Sequence, residues 1–123
     1  MRIRQRLFAI AIGLLGLGLA QPTPASADNL TFRFVSNYPY QVQLEFYSQN
    51  YNHAWPGNNR AYDLFDSGTH TFSLQCHTGE KICWGAWDRG NPNVYWGIGD
   101  GNQGCANCCY ICGMGDVQTQ ELH

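Results

Sequence analysis

Positive charge is scarce in this chain of 123 residues once the first 27 are set aside. Seven lysines and arginines stand against nine aspartates and glutamates. Three of the arginines lie among the first six residues, so four basic and nine acidic residues remain after residue 27, a formal charge of −5. Nucleic acids and anionic membranes are bound through a basic face, which four scattered cations do not build. The composition therefore argues against nucleic acid as a partner.

Long apolar runs are also missing. The longest run, from Leu7 to Ala20, has 14 residues, whereas a membrane-spanning helix needs about 20. It follows three arginines and precedes the small residues 25–27, which is the pattern of a secretory signal peptide. We therefore predict that residues 1–27 are a cleaved signal peptide. The mature protein is then exported, periplasmic or extracellular, with no membrane span.

Catalytic signatures are absent as well. The chain has no G-x-S-x-G, no H-E-x-x-H and no phosphate-binding glycine loop with a lysine. The glycine-rich segment 99–104 lacks the further oxygen ligands of a calcium loop, so we predict a tight turn there. We expect no cofactor and name no catalytic residue. Two carboxylates, or a carboxylate and a histidine, that meet in a cleft would indicate a small exported hydrolase or toxin-like enzyme, which stays an alternative.

What the sequence does show is alternation of apolar and polar residues at 29–35, 41–46 and 71–76, and a period of two predicts strands. We predict two further strands at 81–87 and 94–98. The short turns at 36–40 and 77–80 predict antiparallel hairpins. The fold class we predict is all-β, a small disulfide-stabilised antiparallel β-sandwich or open barrel of five to seven strands. Alternation places five large rings in its core: Phe32, Phe34, Phe46, Phe72 and Trp84.

We predict a single domain over residues 28–112, with a cysteine-rich C-terminal part at 76–112 and a polar tail at 113–123. The cysteine-rich part contains every cysteine of the chain: Cys76, Cys83, Cys105, Cys108, Cys109 and Cys112. Six cysteines in a small exported domain indicate a disulfide framework. A turn with its tip at residues 79–80 would place Cys76 opposite Cys83, which favours a bond between them. Alternatively both reach into the C-terminal cluster, where one bond then closes internally; a bond between the neighbours Cys108 and Cys109 is not expected.

The two abutting C-x-x-C units also allow other chemistry. Zinc sites built from such pairs separate them by a long spacer, and redox-active pairs usually begin a helix within a βαβ unit. Neither context is present in this sequence. We therefore predict no metal site, and a thiol-redox or metal-binding protein remains the second alternative.

Aromatic residues are abundant, and sixteen of the seventeen follow residue 27. We predict four of them as ligand-binding candidates: Trp55, Trp87, Tyr51 and Trp96. Flat rings beside asparagine-rich loops such as 48–60 are suited to sugars or peptides, since rings give contact area at low entropy cost. Alternatively these rings are buried, with Trp55 covering the core. We expect a non-catalytic binding or interaction module for a protein or a carbohydrate, in an oligomeric state that the sequence does not indicate.

Overall fold

The computed structural model describes residues 27–98, 105 and 107–123. These residues form nine strands: β1 (Ala27–Ser36), β2 (Val42–Ser48), β3 (Ala54–Trp55), β4 (Tyr62–Leu64), β5 (Thr69–His77), β6 (Lys81–Asp88), β7 (Asn91–Gly97), β8 (Cys109–Ile111) and β9 (Gln120–Leu122). Apart from Ala27, the predicted signal peptide lies outside the described residues, as does the predicted turn at 99–104. Nothing in the described part of the chain is a helix of the length and apolarity that a membrane crossing needs.

The strands form two sheets. The smaller sheet has the order β9-β1-β5, with β9 parallel and β5 antiparallel to β1. The larger sheet has the order β3-β2-β6-β7, with β4 also paired to β2 and β8 to β6. The sheets pack against each other, and neither closes into a barrel. The predicted disulfide-stabilised sandwich is confirmed. The strand count exceeds the prediction because β3, β8 and β9 have only two or three residues, too few to show alternation.

The core lies between the two sheets. Phe32 and Phe34 on β1 pack against Phe46 on β2, with ring centroids 4.7 and 6.0 Å apart. Trp84 on β6 meets the Phe34 ring edge-on at 5.0 Å. These four predicted core rings are buried, whereas Phe72, at the edge of the smaller sheet, is half-buried. Each fully buried ring contributes roughly 1.5–3 kcal/mol through the loss of apolar surface from water.

Both predicted hairpins are wrong. β1 and β2 follow each other along the chain but belong to different sheets, and so do β5 and β6. Each connection crosses from one layer of the sandwich to the other. Alternation determines only which side chains point inward. A connection that crosses to the other sheet keeps the same side chains inward as a hairpin within one sheet would. The inward faces were therefore predicted correctly while the neighbouring strands were not.

The described disulfides are Cys76–Cys112, Cys83–Cys109 and Cys105–Cys108. The predicted bond between Cys76 and Cys83 is wrong because these residues lie on strands of different sheets. The alternative in which both reach into the C-terminal cluster is confirmed, and Cys108 and Cys109 are not bonded to each other. The bond from Cys76 to Cys112 joins β5 of the smaller sheet to the segment that follows β8 of the larger one.

The segment 113–123, predicted as a polar tail, belongs to the folded domain. Strand β9 pairs with β1, and the side chains of Val117 and Leu122 are buried. The Val117 N–H also donates to the Thr31 carbonyl at 3.1 Å, and the Asn37 N–H donates to the Leu122 carbonyl at 2.7 Å. Three isolated apolar residues in a polar stretch give no periodic pattern, which explains why the sequence did not reveal this strand.

Candidate functional site

The outer face of the larger sheet carries four side chains in register across four strands. Asp63 on β4 pairs with Gln43 on β2, Gln43 with Trp87 on β6, and Trp87 with Tyr95 on β7. We call these four residues the outer row. Neighbouring strands lie about 4.8 Å apart, so the outer row spans roughly 14 Å. Asp63 and Tyr95 are exposed and Gln43 and Trp87 are half-buried, whereas the alternate positions on β2 point into the core.

Hydrogen bonds connect most of this surface into a chain. The Trp87 Nε1–H donates to Gln43 Oε1 at 3.1 Å, and Gln43 Nε2 donates to Asp63 Oδ1 at 3.4 Å. Gln41 Nε2 donates to the same carboxylate oxygen at 2.9 Å, and Arg89 Nη1 donates to Gln41 Oε1 at 3.2 Å. These bonds set the orientation of both amides. A primary amide has two N–H donors and two lone pairs, so each glutamine keeps donor and acceptor capacity for another molecule.

A solvent-open hollow of about 720 Å³ adjoins the outer row where β2 begins and β6 ends. Gln41 and Arg89 line it, and both belong to the hydrogen-bonded chain. Tyr38, Tyr40 and Asp88 also line it. The Tyr40 side chain is exposed, and its ring centroid lies 5.6 Å from that of Tyr38. The outer row and the hollow therefore form one continuous surface.

The hollow contains a strong hydrogen bond. The Tyr38 hydroxyl donates to Asp88 Oδ2 at 2.5 Å, and the Gly90 N–H donates to Asp88 Oδ1 at 2.8 Å. The bond to the Asp88 carboxylate, together with desolvation, raises the pKa of Tyr38 to about 12. The same bond, with help from the backbone N–H groups of Gly90 and Asn91, holds the pKa of Asp88 below its usual value despite desolvation. At neutral pH the hollow thus presents a neutral phenol and an ionised carboxylate.

Two of the four predicted binding residues lie at this surface or beneath it. Trp87 is half-buried and belongs to the outer row. Trp96 pairs with Ala86, which points inward, and its ring packs edge-on against Tyr38 at 4.8 Å. The Trp96 Nε1–H donates to the His123 carbonyl at 3.1 Å. Trp96 therefore supports the hollow from below instead of lining it.

The other two predicted residues lie toward the opposite end of β2. Trp55 pairs with Phe46 on the inner side of the larger sheet and packs, half-buried, against the core, as expected for a ring that covers the core. Tyr51 is 49% exposed, and its ring centroid lies 4.6 Å from that of His77. The four predicted aromatic residues therefore do not meet in one site.

Two histidines contact carboxylates at the ends of β5. His77 Nδ1 lies 3.4 Å from Glu80 Oε1, and His70 Nε2 lies 2.9 Å from Asp66 Oδ1. Glu80 is buried, and desolvation alone would raise the pKa of its carboxyl, but hydrogen bonds from Ser48 and His77 hold that pKa below its usual value. Each carboxylate also accepts a backbone N–H of its own turn. Both contacts thus stabilise the turns that flank β5.

The cysteines are covalent links in this structure. All six are in disulfides and none is free. Metal ligation by cysteine requires a thiolate. Among the described residues, no group of three or more histidine, cysteine, aspartate or glutamate side chains is placed to hold a metal ion.

Sequence reasoning missed most of the polar residues of this surface: Gln41, Gln43, Asp63, Arg89, Tyr38 and Tyr40. The alternation with Val42 and Leu44 did indicate that Gln41 and Gln43 face solvent. Nothing in the sequence indicated that Asp63 would pair beside Gln43, because β4 has only three residues and reaches β2 after a long loop.

Comparisons with protein-family models, with curated proteins and with solved structures found no match to this chain. The class of protein is therefore defined by its fold and surface alone. It is an all-β sandwich held by three disulfides, with a hydrogen-bonded polar and aromatic row on one sheet face.

Proposed function

We propose that this protein is an exported, non-catalytic binding module, and that the outer row with the adjoining hollow binds a neutral carbohydrate chain. The observation that carries the proposal is the hydrogen-bonded chain from Arg89 through Gln41, Asp63 and Gln43 to Trp87. Sugar hydroxyls both donate and accept hydrogen bonds. A site for them therefore needs donors and acceptors held in fixed directions, so that little side-chain entropy is lost on binding.

Aromatic rings supply the apolar part of such a site. Trp87 lies in the outer row next to Tyr95, which is 49% exposed, and Tyr40 lines the hollow with 67% exposure. A sugar ring has an apolar face of C–H groups, and a flat aromatic ring covers it with few rotatable bonds to immobilise. The combination of fixed amides and neighbouring rings favours a sugar over a protein partner, whose interfaces are centred on apolar side chains with few charges.

The charge of the surface favours a neutral ligand. Asp63 belongs to the outer row, and Glu45 lies on the same face of β2, where it accepts a hydrogen bond from the Tyr47 hydroxyl at 2.8 Å. Arg89 is the one cation of the hydrogen-bonded chain described above. A polyanionic ligand would meet repulsion from the two carboxylates, which a neutral chain avoids.

Export is supported by two independent features. Residues 1–27 have the pattern of a cleaved signal peptide, and three disulfides stabilise the domain. Such bonds form and persist in oxidising compartments. Purified exported protein should begin at Asp28, which N-terminal sequencing would show, and a retained leader would contradict this part of the proposal.

Titration with soluble neutral β-glucan and chitin oligosaccharides, followed by tryptophan fluorescence and calorimetry, tests the binding site. We expect binding that Gln43→Ala and Trp87→Phe each weaken about tenfold, the effect of losing roughly one net hydrogen bond. Trp87→Phe keeps a ring but removes the Nε1–H donor. Thr71→Ala, on the outer face of the other sheet, is the control and should bind as the wild type does. No binding of any of these oligosaccharides at ~1 mM would refute the proposal, as would equal weakening by Thr71→Ala.

A further inference from the structure

Strand β5 has the longest edge without a described partner. One edge of this nine-residue strand pairs with β1 along its whole length, and the other pairs with no strand in the described ranges. The other peripheral strands differ. β3, β4, β8 and β9 have two or three residues each, and the seven-residue β7 contains Pro92 and pairs with β6 through a shift in register. An open edge presents a row of backbone N–H and C=O groups that another strand can pair with.

β5 also lacks the features with which proteins protect such edges. Between Thr69 and His77 there is no proline and no aspartate, glutamate, lysine or arginine. Its pairing with β1 runs without a bulge from Val35↔Thr69 to Ala27↔His77. Charged residues, prolines and bulges are the usual barriers to edge pairing. The edge of β5 is therefore regular and uncharged.

Aromatic rings lie beneath this edge. Phe72 points inward from β5 but is only half-buried, whereas Phe34 on the neighbouring β1 is fully buried. The Phe72 ring centroid lies 4.8 Å from that of Tyr62, a half-buried residue of β4 in the opposite sheet. The described residues thus leave part of the Phe72 side chain uncovered, and a strand added beside β5 would bury more apolar surface.

We infer that β5 pairs with β5 of a second copy of this chain, antiparallel and with a two-fold axis through Ser73. In this register Phe72 lies opposite the partner's Leu74, and Thr71 opposite the partner's Gln75. On the inner face Phe72 thus meets an apolar side chain and His70 lies opposite the partner's Cys76, while on the outer face polar side chains meet polar ones. A symmetric interface must be complementary to itself, and the alternation of β5 satisfies this condition. The two smaller sheets join into one sheet with the order β9-β1-β5-β5-β1-β9.

The exposed carboxylate in the turn before β5 favours the antiparallel direction. The exposed Asp66 lies in the turn before the strand, and the half-exposed His77 ends it. Antiparallel pairing places the two Asp66 carboxylates at opposite ends of the strand pair, where in this register each lies beyond the partner's His77 and near the partner's Glu80, which is buried. Parallel pairing would instead place like ends side by side, with the two Asp66 carboxylates close together.

Analytical ultracentrifugation of the exported, disulfide-intact protein over a range of concentrations tests the inference. We expect the wild type to dimerise, and Ser73→Lys and Ser73→Glu each to be monomeric, because like charges would meet across the two-fold axis. An equimolar mixture of the two variants should restore the dimer. Thr31→Lys is the matched control. It places the same charge on the same face of the central strand β1, next to Ser73, and it should leave dimerisation intact.

Two results would overturn the inference. One is a wild type that stays monomeric up to ~1 mM, a concentration at which even weak pairing would be visible. The edge of β5 would then be available to pair with a strand of another protein. The other is a dimer that Ser73→Lys and Ser73→Glu leave unchanged. If a variant does not fold, as circular dichroism would reveal, the concentration dependence of the wild type and hydrogen exchange of the β5 amides still decide the question.

Discussion

The hydroxyl of Tyr38 donates a 2.5 Å hydrogen bond to the carboxylate of Asp88, 50 positions further along the chain. Tyr38 lies in the connection that crosses from the smaller sheet to the larger one, and Asp88 ends β6. The bond therefore attaches a sheet-crossing segment to the end of the larger sheet. Both residues also line the hollow.

Replacement of Asp88 by asparagine should lower the pKa of Tyr38 from about 12 toward the ordinary tyrosine value of about 10. The raised pKa of Tyr38 means that its contribution to stability is present below pH ~10 and is lost as the pH rises toward 12. The lowered pKa of Asp88 means that its contribution is present above pH ~4 and is lost as the pH falls. Absorbance titration of tyrosinate gives the pKa directly, and Tyr38→Phe identifies the late-titrating group. A tyrosine that still titrates at the raised pKa in Asp88→Asn would show that Asp88 is not the cause of the raised pKa of Tyr38.

Glu80 should make the stability of the protein sensitive to acid. Its pKa is held below the usual value, so its contribution is present above pH ~4 and is lost as the pH falls through the lowered pKa. Glu80→Gln should reduce the free energy of unfolding at neutral pH by roughly 1–3 kcal/mol, since a buried acceptor is replaced where donors face it. The difference should shrink in acid. Urea denaturation at several pH values measures this, with the exposed Glu121→Gln as the unaffected control.

The three disulfides should contribute unequally to stability. The bond from Cys76 to Cys112 spans 36 positions and joins the two sheets, whereas that from Cys105 to Cys108 spans three. Because a longer loop restricts the unfolded chain more, loss of the first bond should cost about 4 kcal/mol and loss of the second about 2 kcal/mol. The double variants Cys76→Ala/Cys112→Ala and Cys105→Ala/Cys108→Ala, compared by urea unfolding, test the order. The reverse order would show that loop length is not the deciding factor.

Gly97 should tolerate no side chain. Its φ is 73°, and an added Cβ would lie 2.5 Å from the carbonyl oxygen of Trp84 and 2.7 Å from two atoms of its ring. Gly79 has a similar φ of 90° but open space around it. Both alanine variants should lose about 1–2 kcal/mol to the left-handed backbone, and Gly97→Ala should lose a further ~1–3 kcal/mol to overpacking. Equal losses of unfolding free energy in the two variants would show that the backbone around Gly97 moves to make room.

The inward faces of the main strands could be predicted from the sequence, whereas their neighbours could not. Phe32 and Phe46 were placed in the core because each alternates with polar residues, and they do meet there. Alternation carries no information about whether the next strand lies beside the first or across the core from it. The prediction for Cys76 depended on that choice, so it assigned the wrong partner.

The candidate site was predictable only in part, for a similar reason. Trp87 was predicted as a binding residue because, in a strand, its side chain points to the face opposite that of Trp84. The partners of Trp87 in the outer row come from separate strands, and their alignment depends on the register between those strands. Gln43 and Asp63 are ordinary polar residues in the sequence, and only their position side by side orients the amide.

The parallel pairing of β9 with β1 has a consequence for the timing of folding. The register aligns Gln120 with Phe34, so one of the first strands of the domain to be synthesised completes its sheet with one of the last. A chain that emerges from its N-terminus leaves this edge of β1 unpaired until the C-terminal strand is also free. Contacts between such distant segments slow folding. The domain should therefore reach its native state after synthesis is complete, and a chain truncated before β9 should be a substrate for chaperones and proteases.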